Sequence, residues 1–105
     1  MVTQVSLFKL RPEVTPDKVD EMMRKTRSSL LRIPEVLTVR AGKKIDPFCE
    51  WPFFICLDFE SLDKQAMCYD DPIWVKFLHE VIKPNTADQL TLNYELEPGK
   101  NVKYS

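Results

Sequence analysis

The chain has 105 residues, 44% of them apolar and 30% charged, and its 15 basic and 16 acidic residues give a net charge of −1. That length favours one domain with a modest core. The balanced charge argues against a nucleic-acid-binding protein, which usually carries a basic excess, and against a polybasic membrane-surface role. No apolar run approaches the roughly 18 residues that a membrane-crossing helix needs.

The cysteines favour a reducing compartment over a metal site. Cys49, Cys56 and Cys68 are odd in number and lack a CxxC spacing, and the chain has a single histidine. This scatter does not match the ligand spacing of a zinc site, so no metal is expected. The N-terminal residues lack a basic segment followed by a long apolar run, so no secretory signal is visible. We therefore expect a cytoplasmic protein.

The first predicted strand runs from Val2 to Leu10. Because side chains alternate along a strand, it presents two different faces. One face carries Gln4, Ser6 and Phe8, and the other carries Val5 and Leu7. The two polar residues of the first face could hydrogen-bond a ligand carbonyl, or they could bond each other or water.

A helix and a second strand follow. The segment Thr15-Pro16-Asp17 supplies a capping hydroxyl, a proline at the first helical position and an acid in the first turn. Apolar residues at three-to-four spacing continue to Ile33, and Pro34 ends the helix. The second strand is predicted over Val36 to Ile45, with a loop reaching Pro52 after it.

The stretch from Phe53 to Phe59 is predicted to be a central strand. Both of its faces are apolar at the start, so we expect cover on both sides. One face carries Phe53, Ile55, Leu57 and Phe59, and the other carries Phe54, Cys56 and Asp58. On this assignment Cys56 is a small buried hydrophobe.

Two helices and a last strand complete the pattern. Ser61 to Tyr69 predicts a short helix, whose inward residues we expect to be Leu62, Ala66 and Met67. A helix beginning at Asp71-Pro72 and ending at Lys83-Pro84 has an apolar face formed by Trp74, Val75, Leu78, Val81 and Ile82. Gln89 to Leu96 alternates most regularly and predicts the last strand. We assign the domain to residues 1–97 and a polar tail to residues 98–105.

The order β-α-β-β-α-β predicts an α+β domain of the ferredoxin-like, split βαβ type. Its four-stranded antiparallel sheet would carry helices on one face only. The other face needs cover, and no further element remains to supply it. We therefore expect a homodimer that joins sheet to sheet and forms a dimeric α/β barrel.

Several segments together resemble a known family. They are Val5–Pro12, Val14–Pro16, Gly42-Lys43, Leu57–Leu62, Asp71-Pro72, Trp74–Phe77, Val81–Pro84 and Leu92–Glu95. These segments are similar to those of the stress-responsive dimeric α/β-barrel family, known as Dabb, and they span nearly everything from Val2 to Leu96. The resemblance implies the same ferredoxin-like fold and a homodimer.

The resemblance extends to the polyketide cyclases of that family, which are of the olivetolic acid cyclase type. Such enzymes close a linear chain by an aldol reaction, without metal or organic cofactor, in a pocket between sheet and helices. Their histidine and tyrosine positions fall here on Gln4, Phe53, Cys68 and Trp74, so none of those groups is kept. The resemblance therefore implies a pocket without the family's acid-base groups, lined by Phe8, Phe53, Ile55 and Trp74.

Two other residues could still act as a general acid or a general base. Tyr69 lies next to the tyrosine position and could serve as an acid or oxyanion donor, or it could be a surface turn residue. His79, the only histidine, lies at the edge of the helix face. It could be a general base or a haem ligand, or a half-exposed surface residue.

Two functional hypotheses remain open, and the residues leave open whether the protein is an enzyme at all. In the first, it is a cofactor-independent enzyme acting on a hydrophobic oxygenated small molecule by polyketide-like cyclisation, aldol or lyase chemistry. Its catalytic residues would be Tyr69 and His79, and its substrate-binding residues Gln4, Ser6, Phe8, Phe53, Ile55 and Trp74. In the second, it is a non-catalytic, stress-responsive dimer that binds small ligands.

Overall fold

A computed structural model describes residues 1–97 of the chain. Its elements, in chain order, are β1 (Val2–Leu10), α1 (Pro16–Leu30), β2 (Val36–Lys43), β3 (Phe53–Phe59), α2 (Leu62–Tyr69), α3 (Pro72–Phe77) and β4 (Thr86–Glu95). Helix α3 continues as one π-helical turn over Leu78–Ile82. The polar tail assigned to residues 98–105 lies outside the described residues. No helix within residues 1–97 is both long enough and apolar enough to span a membrane.

The four strands form one antiparallel sheet in the order β2-β3-β1-β4. Gln4 of β1 lies opposite Leu57 of β3 and Asn93 of β4, which fixes the register of the central strands. The predicted ferredoxin-like α+β fold is therefore confirmed. The alternation predicted for β1 and β3 is also confirmed, because each predicted face of β1 pairs with a single predicted face of β3. The face with Gln4 pairs with that of Leu57, and the face with Val5 pairs with that of Cys56.

The predicted helix starts are confirmed by capping bonds. Thr15 Oγ1 accepts a hydrogen bond from the Lys18 amide at 3.2 Å, and Ser61 Oγ accepts one from the Lys64 amide at 3.2 Å. Asp71 Oδ1 accepts one from the Ile73 amide at 2.8 Å. Each side chain satisfies an amide that has no partner within the first helical turn.

The prediction for the inward face of α2 is wrong. Leu62, Ala66 and Met67 are exposed, whereas Gln65 and Cys68 are buried. Gln65 lies four residues after the Ser61 cap and Cys68 three residues after Gln65, so the inward residues follow the spacing that shares one side of a helix. Gln65 can occupy such a position because it finds hydrogen-bond partners on the sheet.

The apolar face of α3 also differs from the prediction in one respect. Val75 is exposed, and Phe77 is buried in its place, together with Val81 and Ile82. Phe77 lies three residues after Trp74 and four before Val81, so these three positions share one side of the helix and Val75 falls outside it.

The core lies between the helices and one face of the sheet. Phe53, Leu57 and Phe59 of β3 are fully buried there, as are Met22 and Leu30 of α1. The opposite face, which we call the open face, carries the alternate residues of the same strands. Its apolar members are Val5, Leu7, Phe54, Cys56, Leu90, Leu92 and Tyr94. Three of these remain 37–53% exposed, since the described helices pack on the other side.

Candidate functional site

A cavity of about 320 Å³ lies between the sheet and the α2–α3 segment. Its apolar walls are formed by Phe8, Ile55, Trp74, Phe77, Leu78 and Ile82. Its polar groups come from Gln4, Ser6, Tyr69, Gln89 and Thr91. The sheet supplies one wall and the helices the other. We call this space the inner cavity.

The structure brings six of the predicted site residues together around the inner cavity. They are Gln4, Ser6, Phe8, Ile55, Tyr69 and Trp74. Phe53 does not line the cavity; it is fully buried behind Phe8, with ring centroids 5.7 Å apart. His79 is exposed and lines a neighbouring groove with Arg11 and Lys83.

Gln4 is the centre of a buried polar network. Its Oε1 atom accepts hydrogen bonds from the Tyr69 hydroxyl and from Gln65 Nε2, the latter at 2.8 Å. Gln65 Nε2 donates a second bond, at 2.9 Å, to Asn93 Oδ1. Strands β1 and β4 and helix α2 are thereby joined at one end of the cavity.

A second polar group lies further along the sheet wall. Ser6 Oγ and Thr91 Oγ1 are 3.0 Å apart and share a hydrogen bond, and Gln89 Nε2 donates to Thr91 Oγ1 at 3.2 Å. Ser6 and Gln4 therefore each bond other residues rather than one another. The inner cavity has two separate polar positions within an otherwise apolar lining.

Aromatic rings form the helix-side wall. The Tyr69 and Trp74 ring centroids are 5.2 Å apart, and those of Trp74 and Phe77 are 6.3 Å apart. The short connection between α2 and α3 makes this possible, because Asp71 and Pro72 start a new helix at once after Tyr69. The wall presents flat apolar surface to a ligand.

Burial keeps the Cys68 thiol and the Tyr69 phenol in their neutral forms. Burial, with smaller contributions from the negative charges of Asp71 and Glu35, raises the pKa of the Cys68 thiol to about 12. Burial also raises the pKa of the Tyr69 phenol above its ordinary value, with a smaller contribution from Cys68. At neutral pH, Tyr69 is therefore a hydrogen-bond donor and Cys68 is not a thiolate nucleophile.

Three polar residues of the site were missed by the sequence analysis: Gln65, Gln89 and Thr91. Gln89 and Thr91 belong to the predicted last strand, but its pairing with β1 was needed to place them beside Ser6. The signal for Gln65 was its spacing of four residues from Tyr69, which puts both on one helix face.

Within residues 1–97, no group of three or more His, Cys, Asp or Glu side chains is arranged to hold a metal ion. All three cysteines are free, and Cys56 and Cys68 are buried.

Comparisons with known proteins identify structural relatives only. No protein-family model matches the chain, and no curated protein is significantly similar to it. A Dabb family protein with a ferredoxin-like fold from Mesorhizobium loti superposes with a TM-score of 0.79 at 16% identity, covering 92% of this chain and 97% of that one. A dimeric ferredoxin-like protein of unknown function from Thermobifida fusca gives 0.80 at 23% identity, covering 90% of each chain.

A third structural relative is an enzyme. The hydroxynitrile lyase from Passiflora edulis superposes with a TM-score of 0.80 at 14% identity, covering 94% of this chain and 95% of that chain. At these identities the three similarities establish a shared fold.

The raised pKa of the Cys68 thiol predicts a loss of stability at alkaline pH. The native state holds this proton up to about pH 12, whereas an unfolded thiol releases it near 9.0. The stabilisation is fully present below that lower value and is lost as the pH rises towards about 12. We expect the free energy of unfolding, measured with urea, to fall between about pH 8 and 10.5 by on the order of 1 kcal/mol or more.

The matched controls are Cys68→Ala and Cys49→Ala. The first variant should show a clearly shallower alkaline decline, because the buried thiol is gone. The second, which removes a half-buried thiol elsewhere, should keep the decline of the natural protein. Equal declines in all three proteins would contradict the assignment.

Proposed function

We propose that the protein is a homodimer of the stress-responsive dimeric α/β-barrel family that binds a neutral, oxygenated hydrophobic small molecule in the inner cavity. The observation that carries this proposal is an apolar cavity with one anchored amide, Gln4, in its wall. The family assignment is supported by the matching sequence segments and by the fold shared with a Dabb family protein.

The lining supports an uncharged ligand. Tyr69 is the only ionisable residue among those that line the inner cavity, and its raised pKa keeps it neutral. A ligand carboxylate or ammonium would lose its hydration there without gaining a counter-charge, which is costly. A carbonyl or hydroxyl group would find partners at Gln4 or at the Ser6–Thr91 pair.

The open face supports a second copy of the chain as partner. Leu90, Leu92 and Tyr94 are 41%, 37% and 53% exposed, and they continue the apolar surface of Val5 and Leu7. An apolar patch of this kind usually marks an interface. The relative from Thermobifida fusca is described as dimeric, and a sheet-to-sheet contact would bury on the order of 1,600 Å² or more.

A second candidate function is catalysis without a cofactor, by polyketide-type cyclisation, aldol or lyase chemistry. It is favoured by the protonated Tyr69 phenol, whose proton is bonded to Gln4 Oε1 and would turn from there to an oxygen that gains negative charge. His79 would be the base, reached from the neighbouring groove, which shares Leu78, Ile82 and Gln89 with the inner cavity. Positioning would contribute more than acid-base strength, so turnover would be slow.

The same proposal places the protein in the cytoplasm. Its three cysteines are free, and free thiols persist in a reducing compartment.

Ligand binding is tested with acetophenone and benzoate, followed by NMR chemical-shift titration. We expect acetophenone to shift the signals of Trp74 and Phe8, and benzoate to bind at least about tenfold more weakly because its charge is uncompensated. Trp74→Ala should weaken acetophenone binding, while Met67→Ala, on the exposed side of α2, should not. Saturable shifts confined to residues outside the cavity would overturn the proposal.

The dimer is tested by sedimentation velocity on Leu92→Glu. A charge on the open-face side of β4, opposite Val5, would be buried in the dimer without a partner, so we expect the dimer dissociation constant to rise at least about tenfold. Leu62→Glu, at a residue that is 62% exposed on α2, is the control and should remain dimeric. A stable 12.3 kDa monomer of the natural protein at micromolar concentration would contradict the dimer.

Catalysis is tested by the retro-aldol cleavage of 4-hydroxy-4-phenylbutan-2-one to benzaldehyde and acetone. His79 takes the proton of the C4 hydroxyl, the C3–C4 bond breaks to give benzaldehyde and the enolate of acetone, and the proton on His79 then passes to the enolate carbon. Tyr69 would turn its proton from Gln4 Oε1 to the enolate oxygen while that oxygen carries the charge. Tyr69→Phe and His79→Ala should each lower kcat at least about a hundredfold. If both keep turnover while Gln4→Ala abolishes it, the proton-transfer assignment is wrong.

A further inference from the structure

Gln65 is a buried polar residue that was not among the site residues predicted from the sequence. It is 5% exposed and lies on the inward face of α2, one helical turn before Tyr69. Its Nε2 group has two protons, and the structure gives it two acceptors: Gln4 Oε1 at 2.8 Å and Asn93 Oδ1 at 2.9 Å. Both of its donors are therefore used.

The bonds from Gln65 and Tyr69 fill the acceptor side of the Gln4 amide. A carbonyl oxygen has two lone-pair positions, and Gln4 Oε1 receives one bond from Gln65 and one from Tyr69. Gln4 Nε2 has no side-chain partner within residues 1–97, although the residue lines the inner cavity and is only 3% exposed. The free part of this amide is its N–H donor side.

The phenol of Tyr69 is oriented by the same oxygen. Its single proton is directed to Gln4 Oε1, so its own oxygen is left as an acceptor. A free glutamine amide could turn over and exchange its donor and acceptor ends. Rotation of the Gln4 amide alone would break two hydrogen bonds to its Oε1 and would place its N–H group against the N–H group of Gln65.

We propose that Gln65 is a positioning residue that holds the Gln4 amide with its N–H side towards the inner cavity, and that it thereby selects ligands bearing a carbonyl-type acceptor. This inference rests on the proposed binding function, and it names the chemistry of the bound group. Gln4 donates to the ligand oxygen, and Gln65 and Tyr69 set the direction of that donation. Ligands that offer only N–H donors at this point are rejected.

The direction of the amide is reversed by Gln65→Glu, which changes one donor group into an acceptor at nearly constant size. The introduced carboxylate would accept from Gln4 Nε2 and from the amide of Asn93, so both amides would turn over. Gln4 Oε1 would then face the inner cavity and repel a ligand carbonyl. Gln65→Met, which offers neither donor nor strong acceptor, leaves the Gln4 amide without its anchor.

The affinity ratio of two isosteric probes measures the hydrogen bond to the ligand. Acetophenone carries a carbonyl, and α-methylstyrene replaces its oxygen by a CH₂ group. In the natural protein we expect acetophenone to bind several-fold to about tenfold tighter in NMR titrations. The ratio should fall to one or below in Gln65→Glu and to an intermediate value in Gln65→Met. Met67→Glu, which adds the same charge on the exposed side of α2, should keep the natural ratio.

A ligand-free measurement separates this inference from the binding proposal. The side-chain NH₂ signal of Gln4 in ¹H–¹⁵N spectra should move downfield in Gln65→Glu, because that group gains a carboxylate acceptor. A signal at its natural position overturns the inference, whether or not the probes bind. Probe binding to the natural protein with an unchanged ratio in Gln65→Glu overturns the inference and leaves the binding proposal standing. Absence of probe binding, with the Gln4 signal shifted, overturns the binding proposal alone.

Discussion

The alternation of side chains along β1 is the constraint on which both surfaces of this molecule depend. β1 is paired on both sides, with β3 and with β4, so it can neither rotate nor slip without breaking two ladders. Its even-numbered residues Gln4, Ser6 and Phe8 must then face the helices, and Val5 and Leu7 must face away. A slip of one residue would exchange the lining of the inner cavity for the apolar surface of the open face.

This constraint explains why the inner cavity has polar groups in its wall. Gln4 and Ser6 occupy positions where apolar residues would pack more simply, and burying them costs free energy unless every hydrogen bond is made. The neighbouring elements bond the acceptor side of Gln4 through Gln65 and Tyr69 on α2, and they bond Ser6 through Thr91 on β4. No side-chain nitrogen or oxygen that is fully buried within residues 1–97 lacks a partner. The donor side of Gln4 has no side-chain partner among these residues, and a polar network with one donor left over suits a binding site better than a purely structural core.

The sequence predicted those parts of the fold that depend on neighbouring residues. Strand alternation follows from residues two apart, and the helix starts follow from Thr15, Ser61 and Asp71, each of which bonds an amide two or three residues later. The inward position of Gln65 could not be predicted in this way, since its partners Gln4 and Asn93 are 61 and 28 residues away. Leu62 and Met67 were assigned inward on hydropathy alone, which misleads where a polar residue has distant partners.

The position of His79 shows a second limit to what local sequence patterns predict. Trp74 and His79 belong to one continuous apolar and polar pattern, yet Trp74 lines the inner cavity while His79 is exposed beside it. His79 lies within the π-helical turn over Leu78–Ile82, so its direction is not set by the 3.6-residue period that places Trp74. A helical wheel puts His79 at the edge of the apolar face and cannot show that it lines a separate groove with Arg11 and Lys83.

The neutrality of the inner cavity sets the range of chemistry open to it. General-base catalysis near neutral pH needs a group whose pKa lies close to the working pH. Burial moves the pKa of Tyr69 away from that range, and the other described residues that line the inner cavity do not titrate. Burial does the same to the pKa of Cys68, which lies near the cavity without lining it. Any base must therefore approach from the groove that holds His79, or come from the ligand itself. The fixed contribution of the cavity is hydrogen-bond donation to an oxygen held against aromatic walls, and this contribution serves binding and oxyanion stabilisation equally. The same residues would thus be kept whether the ligand is only bound or also converted, so it is the position of a base, and not the polar wall, that separates the two functions.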